Sequence, residues 1–125
     1  MRPPNLLVFM TDHPRGDTAL PEHPCIAPNV KRLGELGLEV HITEMDVRIQ
    51  GTPTPGQLAD QARVYREMLQ VCLSASNCKA FVLWGFTDAH SWIPSFTPGW
   101  GAALIFDQAY QRKPAYQAML EVLSR

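Results

Sequence analysis

Three short strand-like segments, separated by helix-like segments, restrict the fold of this chain more than any other feature. The strand-like segments are Asn5–Met10, Leu38–Thr43 and Ala80–Trp84, and Pro, Gly or polar residues bound them. The first and third segments are almost continuously apolar, which is typical of strands that are covered on both faces. Because the strand-like segments alternate with helical segments, the sequence predicts a parallel α/β architecture with right-handed crossovers.

The clearest helix lies between the second and third strand-like segments. Its apolar residues recur at steps of three and four, and they are Leu58, Ala62, Tyr65, Met68, Leu69, Cys72 and Leu73. Such a stripe is typical of core packing. Two further helices are predicted: one starts at Asn29, a suitable N-cap, and stops near Gly37, and the other covers Pro114–Leu123.

Composition excludes several classes of function. A hydrophobic content of 46% in 125 residues is enough for a core. Eleven basic and twelve acidic side chains give a net charge of -1, so nucleic acid is not an expected partner. The apolar opening, Leu6–Met10, is too short for a membrane span or a secretion signal, so no membrane partner is predicted and the compartment stays unknown.

Three separated segments carry a resemblance to a known family: Ile42–Val47, Trp84–Trp92 and Phe106–Tyr116. From about Val30 to Leu123 the chain resembles the C-terminal portion of a family 10 glycoside hydrolase, the endo-1,4-β-xylanase family. This resemblance implies a partial (β/α)8 TIM barrel with about three parallel strands and flanking helices. It also implies a xylan or xylo-oligosaccharide partner, no cofactor, and a site at the C-terminal ends of the strands.

The resemblance assigns roles to five residues. Glu44 matches the catalytic nucleophile of the family, and Asp46 matches the aspartate that supports it through a histidine. Trp84 and Trp92 match two tryptophans around the sugar next to the cleaved bond, and Asp88 is expected to contact substrate with them. Indole faces suit the apolar faces of pyranose rings, although either tryptophan could equally belong to the core.

Two parts of the family's catalytic machinery are not found in the sequence. A retaining glycosidase needs a second carboxylate about 5 to 5.5 Å from the nucleophile. The family carries it on the fourth strand in an Asn-Glu segment, and these 125 residues contain no Asn-Glu. The supporting histidine belongs to the sixth strand, and His41 should point to the opposite face of the strand from Glu44. The resemblance therefore predicts a truncated or chimeric xylanase-like chain.

Three cysteines allow at most one disulfide within the chain. Cys72 and Cys78 match a cysteine pair that precedes the last strand in many family members, and their spacing makes them the disulfide candidates. Closure would constrain a short loop and would suit an oxidising compartment. The alternative is a pair of reduced, buried thiols.

The first residues resemble a different family, because Leu6–Met10 followed by Asp12 is similar to the N-terminus of a type I sulfatase. Asp12 matches a metal ligand there, but one carboxylate is a weak candidate for a cation that needs about six oxygens, so no metal site is predicted. The segment around Cys25 lacks the Pro and Arg that sulfatases require. We therefore divide the chain into a sulfatase-like segment, 1–29, and a partial family 10 barrel, 30–125.

Three functions stay open on this evidence. The first is retaining hydrolysis of the xylan backbone, and the second is a non-catalytic barrel fragment that binds xylo-oligosaccharide weakly. The third is a sulfatase-type hydrolase. Because three parallel strands do not close a barrel, exposed strand edges also predict self-association.

Overall fold

The protein is described by a computed structural model over residues 27–125. The predicted strand Asn5–Met10, the candidate Asp12 and Cys25 lie outside the described residues. The elements, in chain order, are α1 (Ala27–Glu35), β1 (Val40–Met45), β2 (Ile49–Gln50), α2 (Pro55–Ser74), β3 (Cys78–Leu83), a 3-10 turn (Asp88–His90), α3 (Ile93–Phe96), β4 (Trp100–Gly101) and α4 (Pro114–Leu123).

Strands β1 and β3 form a parallel pair, which confirms the two strands predicted in this part of the chain and their relative direction. The observed strands are slightly displaced from the predicted Leu38–Thr43 and Ala80–Trp84. The short antiparallel pair of β2 and β4 was not predicted, since two-residue strands leave no periodic pattern. This second pair joins the loops that follow β1 and β3.

Helix α2 begins with a capping box, in which Thr54 and Gln57 satisfy each other's backbone N–H groups. Its buried face contains most of the predicted stripe, but Leu73 is 59% exposed at the last turn and Gln61 is buried instead. Within residues 27–125, no helix combines the length and hydropathy that crossing a membrane requires.

The main core lies where α2 and α4 pack against each other and against the strand pair. Its buried members are Ala62, Tyr65, Ala115 and Ala118, and Met45 and Leu83 of the strands pack against them. Three alanines at this contact let the two helices approach closely around the one large ring. Helix α4 spans Pro114–Leu123 as predicted, with Pro114 in its first turn.

Helix α1 is attached to both strands through one side chain. The amide nitrogen of Asn77 donates to the carbonyl oxygens of Val30 at 3.0 Å and Leu38 at 3.3 Å. Gly37 ends the helix region with φ of 72°, a left-handed conformation that favours glycine. These contacts fix the start of β1 beside the start of β3, so that the two strands end at the same edge of the sheet.

Candidate active site

A β-bulge near the end of β1 presents Glu44. The register of β1 on β3 is defined by Val40 with Cys78, His41 with Ala80, Ile42 with Phe81 and Met45 with Leu83. Thr43 and Glu44 therefore both stand opposite Val82, and Glu44 has φ of 59°. An extra residue of this kind bends a strand and redirects its side chains. Both Thr43 and Glu44 are exposed.

The bulge also changes how Glu44 lies relative to His41. On a regular strand, residues three apart face opposite sides. Because Thr43 and Glu44 share one position against Val82, Glu44 is returned to the face that carries His41, and both side chains are exposed. The expectation that these two residues lie on opposite faces is therefore wrong, and the inserted residue is the reason.

Trp84 lies at the same edge of the sheet as Glu44. Its backbone N–H donates to the carbonyl oxygen of Met45 at 3.1 Å, and its side chain is 46% exposed. The next residue, Gly85, has φ of 115°, and a Cβ there would lie 3.1 Å from a methyl group of Leu104. The positive φ and this close contact therefore favour glycine directly after Trp84.

Asp46 and Trp92 are joined by a hydrogen bond. Nε1 of Trp92 donates to Oδ2 of Asp46 at 3.0 Å, and both side chains are partly buried. The Trp92 ring packs against the buried cluster that contains Ile93 and Leu104, and its centroid lies 5.4 Å from that of Phe96. The indole N–H of Trp92 is therefore held by a second predicted site residue.

Asp88 occupies a different position from that expected of a substrate contact. Its side chain is only 5% exposed, and Oδ2 lies 3.0 Å from Nζ of Lys113. Oδ1 accepts the backbone N–H of Leu104 at 2.8 Å. Burial lowers the pKa of Lys113, while the hydrogen bond to Asp88 and its negative charge oppose that shift. Both oxygens are used inside the protein, so we assign Asp88 to holding its loop in place.

Sequence reasoning missed Gln61 and Lys113, which converge on one carbonyl group. Nε2 of Gln61 donates to the carbonyl oxygens of Val47 and Ala102, both at 2.6 Å. Nζ of Lys113 donates to the same oxygen of Ala102 at 2.7 Å. The available signal was a glutamine one helical turn before Tyr65, on the face of α2 that the apolar stripe predicts to be buried.

Arg48 and Trp100 border a cavity of about 410 Å³ between β2 and the start of α2. The guanidinium carbon of Arg48 lies 4.5 Å from the ring centroid of Trp100, within the range of a cation–π contact. A second cavity, of about 440 Å³, lies beside the first residues of β3. Glu44, Trp84 and Trp92 line neither cavity, and Glu44 and Trp84 lie on the exposed edge.

Cys72 and Cys78 form a disulfide that links the last turn of α2 to the first residue of β3. Glu44 and Trp84 lie at the other end of the strand pair, so the disulfide is distant from the candidate chemistry along the strands. In residues 27–125, no group of three or more His, Cys, Asp or Glu side chains could hold a metal ion.

Comparison with known proteins identifies one family. The model of glycosyl hydrolase family 10 matches residues 13–122. The match begins inside the segment that resembles a sulfatase N-terminus, so the division between residues 1–29 and 30–125 stays a prediction. Among curated relatives, endo-1,4-beta-xylanase B of Thermotoga neapolitana is 46% identical over 99 residues, and endo-1,4-beta-xylanase 2 of Aureobasidium pullulans is 35% identical over 108 residues.

Solved structures show the same relationship. Xylanase 10B from Thermotoga petrophila RKU-1 in complex with xylobiose superposes with a TM-score of 0.74 at 43% identity, covering 78% of this chain and 30% of that one. A glycosylated family 10 xylanase from Gloeophyllum trabeum gives 0.78 at 36% identity, with coverage of 82% and 32%. The predicted partial (β/α)8 barrel is thereby confirmed.

The matched regions are only part of each relative. They amount to 76% of this chain but 28% of the Thermotoga neapolitana xylanase, and to 86% of this chain but 30% of the Aureobasidium pullulans enzyme. The chain therefore spans less than a third of the length of these curated relatives.

Proposed function

The chain belongs to glycosyl hydrolase family 10, and we propose that it forms the nucleophile-bearing part of a retaining endo-1,4-β-xylanase that hydrolyses the xylan backbone. One observation carries this proposal: the bulge presents Glu44 at the sheet edge where Trp84 is exposed and where Asp46 holds Trp92. This edge is formed by the C-terminal ends of parallel strands, where barrel enzymes place their active sites.

Glu44 is the proposed nucleophile. Its carboxylate would attack the anomeric carbon and form a covalent glycosyl-enzyme as the bond to the leaving oxygen breaks, and water would then release the sugar with retained configuration. Two features of the described residues support this role. The side chain is exposed. The residue also lies on a bulge rather than on the regular strand, and its φ is positive there.

The two tryptophans have different proposed tasks. The exposed Trp84 would stack on a xylose ring, because the C–H faces of a pyranose are apolar and the indole face is large and flat. Trp92 would form a fixed wall, since Asp46 holds its N–H and Phe96 contacts its ring. In this proposal Asp46 supports the site by orienting Trp92 beside the sugar.

The proton donor is proposed to come from polypeptide outside residues 27–125. Retaining hydrolysis needs a second carboxyl group about 5 to 5.5 Å from the nucleophile. Asp12, Asp17 and Glu22 precede the described residues and could supply it, as could a second polypeptide. The xylobiose named for the Thermotoga petrophila structure supports xylo-oligosaccharide as the ligand class.

A covalent labelling experiment tests the role of Glu44 without depending on the proton donor. A 2-fluoro-xylobioside with a dinitrophenolate leaving group needs no acid to depart, so an intact nucleophile should become glycosylated. We expect one added fluoroxylobiosyl group per chain, located at Glu44 by peptide mass spectrometry. Glu44→Gln should take up no label, and the matched control Glu39→Gln, which changes an exposed glutamate just before β1, should label like the unchanged protein. Equal labelling of all three proteins at another residue would end the proposal.

A second candidate is weak xylo-oligosaccharide binding without turnover. The exposed Trp84 favours this function. Calorimetry with xylotetraose, alongside xylan hydrolysis assays, separates the two functions. The non-catalytic function would be supported if the unchanged protein binds xylotetraose but releases no reducing sugar from xylan, and if the binding disappears in Trp84→Ala.

A sizing column run on the same samples tests self-association through strand edges. The candidate residues of the sulfatase-type alternative lie outside residues 27–125.

A further inference from the structure

We propose that Gln61 and Tyr65, one turn apart on the buried face of α2, are positioning residues that set the geometry of the Asp46–Trp92 pair. The inference rests on the proposed function, in which that pair forms one wall of the sugar site. Gln61 bonds to the backbone of both segments that carry the hydrogen bond, at Val47 and Ala102, and Tyr65 bonds to the second of them at Ala103.

Gln61 fixes the backbone directly after Asp46. Its Nε2 donates to the carbonyl oxygen of Val47, and the second donor of the same amide binds the carbonyl oxygen of Ala102. The residue is 2% exposed, and its Oε1 is buried without a hydrogen-bond partner within residues 27–125. A buried acceptor left unpaired is unfavourable for stability. Packing alone therefore does not explain why a glutamine occupies this position, whereas its two bonds, which bridge Val47 and Ala102, do.

Tyr65 binds the carbonyl group of Ala103, the residue directly after Ala102. Its hydroxyl donates to the carbonyl oxygen of Ala103 at 2.8 Å, and that oxygen also accepts the N–H of Val47 at 3.1 Å. Burial raises the pKa of Tyr65 far above its ordinary value, and the charges of Asp46 and Asp88 raise it further. The hydroxyl thus stays protonated and continues to donate.

These contacts connect both ends of the Asp46–Trp92 hydrogen bond to one helix. The acceptor Asp46 is followed by Val47, whose N–H and carbonyl are both engaged. On the donor side, Ala103 is buried in the cluster against which Trp92 packs. A shift of α2 would therefore move both segments together. After loss of either side chain, the Val47–Ala103 backbone bond and the β2–β4 pair would still join the two segments, but their attachment to α2, and with it the geometry of the Asp46–Trp92 bond, would be loosened.

Nuclear magnetic resonance of the indole N–H of Trp92 tests this inference in the full chain. The resonance is assigned by its loss in Trp92→Phe. In the unchanged protein it should exchange slowly with solvent, whereas the indole of the exposed Trp84 should exchange fast. In Gln61→Glu, which replaces the amide donor by an acceptor, and in Tyr65→Phe, which removes only the hydroxyl, we expect exchange of the Trp92 signal to be about fivefold faster or more. Its shift should move towards that of Trp84.

The matched control is Gln70→Glu, which makes the same chemical change at an exposed position of α2. It should leave the Trp92 signal unchanged. If both buried-face variants keep the shift and exchange rate of the unchanged protein while their unfolding midpoints fall, the two residues are only structural and the inference is overturned. Tyr65→Phe retains the core ring, so it decides the question even where Gln61→Glu does not fold. The measurement needs no sugar, so failure of the proposed function would appear separately, as absent labelling of Glu44.

Discussion

The indole N–H of Trp92 donates to Oδ2 of Asp46 at 3.0 Å, across 46 positions of sequence. The bond joins the segment that follows β1 to the long loop that follows β3. One carboxylate thus holds an aromatic ring beside the strand end where Glu44 is presented. A change to this bond should therefore alter the geometry of the proposed sugar site more than the packing of the core between α2 and α4.

Removing the Asp46 carboxylate should loosen Trp92. We expect Asp46→Ala to lower the free energy of unfolding by about 1 to 2 kcal/mol, because the partly buried indole donor loses a charged acceptor. Asp46→Asn keeps an acceptor oxygen and should lose less. Urea denaturation followed by tryptophan fluorescence measures both. Equal losses in the two variants would contradict a role for the hydrogen bond itself.

Replacing one partner of the buried ion pair between Asp88 and Lys113 should lower the free energy of unfolding more than replacing both. Their side chains are 5% and 7% exposed, so Lys113→Met leaves an uncompensated buried carboxylate. We expect a loss of about 3 to 5 kcal/mol in the free energy of unfolding. The double variant Asp88→Asn with Lys113→Met should recover part of it. Additive losses in denaturant titrations would show that the pair is not coupled.

Alkaline pH should destabilise the chain through Tyr65. Its pKa is raised in the native state, so above the unfolded-state value of 10.0 the unfolded chain releases a proton that the native state keeps. The contribution of Tyr65 to stability is therefore complete below pH 10 and falls by about 1.4 kcal/mol per pH unit above it. Urea titrations between about pH 8 and 11 should show a shallower decline in Tyr65→Phe. Parallel curves for the two proteins would refute this assignment.

Glycine at position 44 should relieve the backbone while removing the proposed nucleophile. Glu44 has φ of 59°, a conformation that costs a non-glycine residue of order 1 kcal/mol. We therefore expect Glu44→Gly to be as stable as the unchanged protein or more so, and to take up no fluoroxylobiosyl label. Thr43→Gly, whose φ is not positive, is the control and should be destabilised. A clear loss of stability in Glu44→Gly would argue against backbone strain at the bulge.

Local signals in the sequence determined much of the fold. The three- and four-residue period predicted α2, Pro114 marked the start of α4, and two strand-like segments predicted β1 and β3. These features are readable because each depends on neighbours within a few positions of the chain. The same local signals predicted that Glu44 and Trp84 lie at the C-terminal ends of consecutive strands, and hence at one edge of a parallel sheet.

The tertiary structure alone decided how the side chains at that edge are used. The bulge depends on the register of β1 against β3, so the alternation that separated His41 from Glu44 fails there. Asp88 is buried because Lys113, 25 positions later, meets it, and Gln61 is buried because two loop carbonyls need its donors. Such contacts depend on how the loops between the elements run in three dimensions. The periodicity of residues along the chain carries no information about which loop residues meet.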